Sequence, residues 1–394
     1  MRAWLALTAG LVVTSACGAV ASDARLGRAI GKALFDRAWV AAPSSTKAND
    51  GLGPVFNARA CVFCHQSLGR AGSDVGPDGR FVHDGMVLKL SDAAGRFDPG
   101  YGGQLQTSAV SGIKPEGRAV MTPAGAEAKD LAYGPFGKDT RIGVRAAPAL
   151  RGLGLLAEVP DEAIVALADP DDRNGDGISG RVNWIVGPDG KQHVGRFGLK
   201  ASGATLTHQI ETAFSMDIGL STDGMPKVEG DCPQKACRNA PNGSEAGQPE
   251  IRHDLVAMLA DYLANVPPPP APVADPEGER LFAATGCASC HVPSMPTAKG
   301  QARAFTDLLL HDLGAGLDGG ATEPGVAATE WRTAPLWGVS RALAAHAGLL
   351  HDGRAATVAD AVALHGGEAA GALARFDALN DEDRNRLLAY VEGL

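Results

Sequence analysis

The chain has few aromatic residues, no excess of positive charge and no long apolar run. Aromatic side chains make up 5% of the 394 residues, and the formal net charge is −9. The negative charge argues against a nucleic-acid partner, because nucleic-acid-binding faces are basic. No stretch of about 18 apolar residues occurs, so the sequence predicts no membrane span. The 51 Gly and 25 Pro instead predict much loop, as expected where a bound group fills part of the core.

The first 21 residues have the pattern of a secretory signal peptide. Met1-Arg2 precedes a short apolar run, and the small-residue site Ala19-Val20-Ala21 follows it, which predicts cleavage after Ala21 and a periplasmic protein. Cys17 leaves an alternative, a lipid-anchored protein. The Leu expected three residues before such a cysteine is absent, which disfavours the anchor.

Two pentapeptides share the pattern Cys-x-x-Cys-His. The first motif is Cys61-Val62-Phe63-Cys64-His65 and the second motif is Cys287-Ala288-Ser289-Cys290-His291. This pattern is the attachment signature of c-type haem, in which two thiols bond the vinyl groups and the imidazole binds the iron. A zinc site would need four clustered ligands, and only one His accompanies each pair. The sequence therefore predicts two covalently bound haems.

Two further cysteines, Cys232 and Cys237, lie in the polar, Pro- and Gly-rich segment 231–247. They predict a disulfide, because the signal peptide and the covalent haem imply an oxidising compartment. Two free surface thiols are the alternative. A redox-active pair is a third interpretation, although the spacing is not the Cys-x-x-Cys of such sites.

A second repeated motif indicates a duplicated unit. Arg145-Ala146-Ala147-Pro148 matches Arg332-Thr333-Ala334-Pro335, and a probable helix with a Val-Ala-Leu step follows each. Four prolines at 267–270 end a helical pattern and predict a stiff linker. We therefore expect a mostly α fold of two cytochrome c-like haem domains with long loops. The predicted domains are 22–266, which carries a large insertion, and 273–394, joined by the linker 267–272.

The two repeats differ where a second iron ligand is expected. Their alignment sets His365 over Ala168. The second half contains no Met beyond Met295, which is too close in sequence to the second motif to reach the opposite side of the iron. We select His365 as the far-side ligand of the second haem, with an ordinary surface or second-shell histidine as the alternative. The first haem has no ligand at the matching place, so its iron would be open to a small oxidant. His83 could still close that site.

Three side chains near residue 210 are candidates for moving a proton between the oxygens of a peroxide. They are His208, Glu211 and Asp217, and the first two lie three residues apart on one helical face. A solvated helix is the alternative interpretation.

Asp172, Asn174 and Asp176 follow the order of ligands in a calcium loop. Position 12 of that loop is Asn183 instead of Glu, so the bidentate carboxylate is missing. The alternative is a plain Asn-Gly and Asp-Gly turn.

Several longer phrases resemble the dihaem oxidoreductase family, also called thiol oxidoreductases. They are residues 174–181, 195–198, 308–312, 330–338, 350–355 and 364–369. The family is similar in architecture to bacterial dihaem cytochrome c peroxidases and to the dihaem enzyme that matures a tryptophan-derived quinone. The resemblance implies an amino-terminal peroxide site and a carboxy-terminal haem that receives electrons. The position matching His365 is Met or Tyr in those relatives, and His there implies a lower potential than Met. Leu199 stands where the family commonly has Trp.

The sequence thus predicts a periplasmic dihaem c-type oxidoreductase with peroxidase-like activity. Electrons from a small redox protein or another periplasmic donor would pass from the carboxy-terminal haem to the amino-terminal haem, where peroxide is reduced. One alternative is a non-catalytic electron-transfer cytochrome with both irons six-coordinate. Another is a thiol oxidoreductase that uses Cys232 and Cys237.

Overall fold

The structure is a computed structural model that describes residues 23–123, 125–187, 189–245 and 247–394. The predicted signal peptide, its cleavage site and Cys17 lie outside the described residues. Within the described ranges, no helix is long and apolar enough to cross a membrane.

The helices are short and spread along the chain. They are α1 (23–36), α2 (Cys61–Cys64), α3 (Leu153–Ala157), α4 (Asp161–Val165), α5 (Leu206–Ala213), α6 (Lys235–Arg238), α7 (His253–Ala264), α8 (Pro276–Ala284), α9 (Val339–Ala344), α10 (Val358–Ala363), α11 (Ala370–Asp377) and α12 (Asp381–Glu392). A π-helical turn, Phe214–Ile218, continues α5.

Twelve strands in the described ranges form antiparallel pairs. The pairs are β1 (Val55–Phe56) with β3 (Ser108–Ala109), β2 (Met86–Ser91) with β6 (Arg141–Ala146), β4 (Arg118–Thr122) with β5 (Gly125–Lys129), β7 (Trp184–Val186) with β8 (Gln192–Val194), β9 (Met295–Thr297) with β10 (Gly300–Ala302), and β11 (Leu310–Asp312) with β12 (Glu330–Arg332). The longest ladder is β2 with β6, in which Met86 faces Ala146 and Ser91 faces Arg141.

The prediction of a mostly α fold is wrong. The chain is 31% helical and 16% strand, and nothing in this architecture supports two cytochrome c-like domains. The physical reason lies in the segment after the first motif, which forms hairpins. In β2, Met86, Leu88 and Leu90 are buried while the residues between them are only partly buried, which is the period of a half-buried strand.

Three hydrophobic clusters hold the two motifs in place. The first packs α1, α5 and α7 around Phe35, Phe214 and Leu259, and Cys61 lies against it. Another packs α8, α11 and α12 around Phe282 and other buried side chains, and Cys287 lies against it.

The third cluster is shared by the two halves of the chain. Leu156 and Ile164 from the first half pack in one cluster with Met295 and Leu308 from the second half. Each such buried aliphatic side chain contributes about 1.5–3 kcal/mol. The Pro-rich segment 267–275 has no regular structure, but the halves on either side of it are joined by this cluster. The predicted domain boundaries themselves stay a prediction.

Candidate haem sites

The first motif presents His65 as a neutral ligand with one free ring nitrogen. Its four residues before the histidine form α2, and Nδ1 of His65 donates to the carbonyl oxygen of Pro148 at 2.9 Å. Burial lowers the pKa of His65, although the nearby Asp217 acts in the opposite direction. The bond to Pro148 fixes the ring orientation and leaves Nε2 for a metal, as is usual for metal-binding histidines.

The second motif holds His291 in the same manner. Its Nδ1 donates to the carbonyl oxygen of Phe305 at 3.0 Å, and burial lowers its pKa to about 4. The imidazole is therefore neutral at physiological pH, and its Nε2 is available to iron.

The four cysteines of the two motifs are unpaired thiols. Burial raises the pKa of Cys61 to about 12 and also raises the pKa of Cys287. Such thiols are not activated as thiolates for exchange or metal binding. They suit the thioether bonds that join haem to a Cys-x-x-Cys-His motif.

His365 has the geometry of a second iron ligand. The capping box of Thr357 and Asp360 starts α10, and His365 lies two residues after its end. Its Nδ1 donates to the carbonyl oxygen of Ala361 at 2.7 Å, which leaves Nε2 free. The ring is close enough to His291 to lower the pKa of that histidine further, after the effect of burial. The structure thus brings these two imidazoles together.

The other histidines of the second half are engaged elsewhere or exposed. His346 is exposed, and His351 stacks on Trp331 with ring centroids 3.9 Å apart. His311 bonds to Asp307 through Nε2 and to Glu368 through Nδ1, both at 2.8 Å.

These two carboxylates keep His311 charged. Burial alone would lower its pKa, but the hydrogen bonds to Asp307 and Glu368 raise it to about 12. Cys290, Asp307 and His311 lie within 4.8 Å of one another. Because both nitrogens of a charged imidazole carry protons, this group is an ion pair beside the haem attachment point.

Asp217 is the member of the predicted acid–base group that lies at the first motif. It sits in the π-helical turn, and its backbone oxygen accepts from the N–H groups of Asn57 and Ala58 at 2.9 and 3.1 Å. Burial lowers the pKa of His65, and the charge of Asp217 partly opposes that effect. Gln104 donates Nε2–H to Oδ1 of Asp217 at 2.7 Å.

Gln104 carries an unsatisfied buried atom. The residue is 0% exposed, and its Oε1 has no hydrogen-bond partner in the described part of the chain. A buried amide oxygen without a partner costs about 1–3 kcal/mol. It therefore indicates that a bound molecule or group completes this side of the first site.

The other two acid–base candidates lie apart from Asp217. Glu211 is buried, and its carboxylate accepts from the backbone N–H of Gly224 at 3.0 Å, so it supports a turn. His208 lies in the first turn of α5, and its backbone N–H donates to Oγ1 of the N-cap residue Thr205. The structure shows no contact between either side chain and the first motif.

Sequence reasoning missed a second buried acid near the first site. Glu116 is 0% exposed, and burial raises its pKa to about 8. Its Oε2 accepts from the backbone N–H of Gln106 at 2.8 Å. The side chain of Gln106 in turn donates to the carbonyl oxygen of Met216, next to Asp217, at 2.8 Å. No local pattern marks Glu116, because its neighbours come from distant parts of the chain.

His83 lies at the entrance side of the first motif. It lines a cavity of about 350 Å³ together with Phe63, Cys64 and Trp337. Its Nε2 is 3.6 Å from Oδ2 of Asp74, and 40% of the side chain is exposed.

Two half-buried cations fit the carboxylates that a haem would bring. Arg70 donates to the carbonyl oxygens of Ala347 and Leu350, and Arg332 donates to carbonyl oxygens, including that of Gly198 at 2.8 Å. Burial lowers the pKa of each guanidinium to about 10. Neither forms an ion pair within the described ranges, so each guanidinium is available to an added carboxylate. Together with the histidines, the thiols and Gln104, they show that the residues fit haem.

The predicted calcium loop uses its oxygens internally. Both carboxylate oxygens of Asp172 lie 3.2 Å from the N–H of Gly177. Oδ1 of Asn174 accepts from Asp176, and Asp176 accepts from Ile178. These contacts are those of Asx turns, and calcium binding at Asp172, Asn174 and Asp176 stays a prediction.

Cys232 and Cys237 are joined by a disulfide, with 2.05 Å between the sulfur atoms. They are 3% and 2% exposed. A thiol substrate would therefore have no direct access to either sulfur, which disfavours a role for the pair in thiol exchange.

These features define a haem-binding oxidoreductase, and comparison with known proteins gives the family. Residues 126–394 match the family described as "Di-haem oxidoreductase, putative peroxidase", and the chain belongs to that family. The predicted membership is thus confirmed. The second motif lies inside the matched region and the first motif precedes it. No curated protein matches the chain.

One solved structure with which the chain aligns is hydrazine synthase from Kuenenia stuttgartiensis, pressurised with xenon. The identity is 13% and the TM-score is 0.39, over 93% of this chain and 92% of that chain.

Proposed function

We propose that the protein is a periplasmic dihaem c-type oxidoreductase that reduces peroxide. His65 would bind the iron of the amino-terminal haem, and His291 with His365 would bind the iron of the carboxy-terminal haem. The haems, bound through the cysteines of the two motifs, would supply the electron storage and the peroxide reduction. The electron donor would be a small redox protein or another periplasmic donor.

One observation carries this proposal, namely the difference between the groups that approach the two proximal histidines. His365, with a free Nε2, lies near His291. The described groups near His65 include Asp217 and the amide of Gln104 that it binds, and neither is a usual ligand of haem iron. An iron with a protein ligand on both sides mostly transfers electrons, whereas an iron with a free side can bind an oxidant.

The polar groups at the first site can perform the proton transfer that peroxide cleavage requires. A carboxylate at Asp217 can take the proton from one peroxide oxygen and return it to the other, the leaving oxygen. The bond from Gln104 holds Oδ1 of Asp217 in place. General acid–base assistance of this kind contributes about 10²–10⁴-fold in rate.

Residues 336–337 connect the surroundings of the two motifs. Leu336 packs against the cluster that contacts Cys287, and Trp337 lines the cavity that also contacts Cys64. Two adjacent residues thus belong to the surroundings of both motifs, which supports electron transfer between the two haems in the proposed enzyme.

A ferric spectrum with a peroxide titration tests the proposal. We expect half of the haem to be high-spin and to react with peroxide, and half to be low-spin and unreactive. Two low-spin centres without peroxide reactivity would instead establish the electron-transfer cytochrome. His83→Ala is a useful companion variant, because a high-spin signal that appears only after this change would identify His83 as a closing ligand.

A further inference from the structure

One short segment of the second half, residues 305–312, contacts the surroundings of both histidines proposed for the second haem. Its first residue, Phe305, supplies the carbonyl oxygen that accepts from Nδ1 of His291 at 3.0 Å. Near its other end, Nδ1 of His311 donates to Oε2 of Glu368 at 2.8 Å, and that glutamate lies three residues after the proposed far-side ligand. The segment therefore reaches the groups that would hold one iron from its two sides.

Four donors surround the carboxylate of Glu368. Oε2 accepts from Nδ1 of His311 and from the backbone N–H of Ser179, the latter at 2.9 Å. Oε1 accepts from Oγ of Ser179 and from the backbone N–H of Asp312, both at 3.0 Å. Because a carboxylate has about four acceptor positions, each of them is filled. The side chain, which is 10% exposed, is therefore held in one position.

The turn between His365 and Glu368 lies directly on the backbone that follows β11. Gly367 has a φ of +52°, and a Cβ at this position would lie 2.2 Å from the carbonyl oxygen of Asp312. Only glycine permits so close an approach of two backbone segments. The turn therefore joins the end of α10, with its histidine, closely to β11, and Glu368 fastens the far end of the turn.

His311 is itself held in place by both halves of the chain. Its Nε2 donates to Oδ2 of Asp307 at 2.8 Å, and both side chains are buried. Gly180, from the first half, lies against the imidazole, because a Cβ there would come within 2.4 Å of Cε1. The backbone of the adjacent Arg181 pairs with that of Leu310 in both directions, at 3.0 and 2.9 Å. This short piece of the first half therefore completes the support of the second site.

We propose that Glu368 is a positioning residue that keeps His365 at the iron of the second haem, and that Ser179 of the first half helps to hold it there. The second haem then stays six-coordinate, and peroxide is directed to the first haem. This inference rests on the proposed function, because it requires His365 to be the far-side ligand. Glu368 acts through the turn that it fastens, since its own oxygens are filled by other donors.

The first experiment changes the carboxylate in the full-length holoprotein. Glu368→Gln keeps the shape of the side chain, but its carboxamide nitrogen carries hydrogens that face the donors around it. The matched control is Glu330→Gln. Glu330 is 14% exposed and also joins the two halves, but its oxygens accept from Arg181 and Ala327. The readouts are electron paramagnetic resonance of the ferric protein and cyanide binding.

We expect Glu368→Gln to convert the second haem from low-spin to high-spin in part of the molecules, because His365 is no longer held at the iron. The high-spin fraction should bind cyanide rapidly. Glu330→Gln should keep the low-spin signal, although it loses a contact between the halves. An unchanged low-spin signal in Glu368→Gln would overturn the proposal, even if the reduction potential rose through the loss of a negative charge.

The second experiment does not depend on the folding of Glu368→Gln. Ser179→Ala removes the donor Oγ and keeps the backbone N–H that binds Oε2. Cyanide must displace His365 to bind the second haem, so the slower phase of cyanide binding reports how firmly this ligand is held. We expect this phase to become about tenfold faster, the order of one hydrogen bond to a charged group.

Ser340→Ala, at an exposed serine of α9, is the control for this change and should alter neither phase. Equal slow phases in the wild type and Ser179→Ala would overturn the proposal.

The inference and the proposed function fail on different results. If the wild type shows two low-spin centres and no reaction with peroxide, the peroxidase function fails, but loss of one low-spin centre in Glu368→Gln still supports the role of Glu368. If His365→Ala leaves the second haem low-spin, the inference fails, whereas a reaction of the first haem with peroxide still stands.

Discussion

His65 and His291 each donate Nδ1–H to a backbone carbonyl, but the two carbonyls come from different places. Pro148 lies 83 residues after His65, whereas Phe305 lies 14 residues after His291. The first half places five strands, β2 to β6, between the histidine and its acceptor, whereas the second half places only the short hairpin of β9 and β10 there. The repeated Arg-x-Ala-Pro motif therefore supplies the acceptor in one half only, so a repeated sequence does not imply a repeated contact.

The two sites also differ in what approaches the free nitrogen of each histidine. His365 lies near His291, and the ion pair of His311 with Asp307 lies beside Cys290. Near His65 the structure places Asp217. The second site is thus equipped to saturate an iron, and the first to move protons beside one.

The largest expected effect comes from removing each pair of attachment thiols. Cys61→Ser/Cys64→Ser and Cys287→Ser/Cys290→Ser should each retain one covalent haem, because a single motif holds each haem. Intact mass and the haem absorbance per chain measure this. The first variant should lose the peroxide reaction completely. The second should still bind cyanide at its remaining haem but should no longer turn over with an electron donor. Retention of both haems in either variant would contradict the assignment.

Replacing Asp217 tests the proton-transfer role of the first site. Asp217→Asn keeps the size of the side chain and an oxygen for Gln104, so the haem should still be attached. The rate constant for peroxide should fall by about 10²-fold, because the group can no longer accept a proton. Stopped-flow mixing with peroxide measures it.

Asp223→Asn is the control for this change, since Asp223 is an exposed carboxylate in the following turn and should leave the rate unchanged. A greater loss of peroxide rate in Glu211→Gln than in Asp217→Asn would contradict the role of Asp217. The proton-transferring group would then be on the helix face of His208 and Glu211 that the sequence predicted.

Replacing His365 tests the other side of the comparison. His365→Ala should convert the second haem from low-spin to high-spin, which changes about half of the haem signal. His365→Met should keep it low-spin and raise its reduction potential, because a thioether stabilises ferrous iron better than an imidazole does. Electron paramagnetic resonance and a potentiometric titration measure the two effects. His253→Ala, at an exposed histidine, is the control. A low-spin second haem in His365→Ala would show that another group binds the iron.

The features that were predicted from the sequence are local ones. The two motifs and the place of His365 after a helix were found because residues close in sequence carry them. The prediction of the fold class was wrong because β2 pairs with β6 and the partner residues lie 50 to 60 positions apart. A six-residue alternation is also a weak signal within a Gly-rich segment. Glu116 was missed because its partner Gln234 lies 118 residues away in the sequence, and no spacing rule connects the two.

The smallest expected effect is a pH dependence of stability that arises from His311. Burial opposes the charge on this imidazole, but the hydrogen bonds to Asp307 and Glu368 raise its pKa to about 12 in the folded protein, from 6.5. The stabilisation is fully present below pH 6.5. Above pH 6.5 the unfolded chain releases this proton and the folded chain keeps it, so the free energy of unfolding falls as the pH rises toward 12, by at most about 1.4 kcal/mol per pH unit.

Chemical denaturation of the holoprotein at several values between about pH 7 and 9 measures this slope. His311→Gln should make the slope shallower by the share of this imidazole, because Gln does not titrate. His193→Gln should keep it, because the His193–Asp189 pair is exposed, with side chains 43% and 46% accessible, and such pairs contribute little. Equal slopes in the wild type and His311→Gln would show that the imidazole is not held charged. The second haem site would then lose the ion pair that distinguishes its attachment cysteine from those of the first.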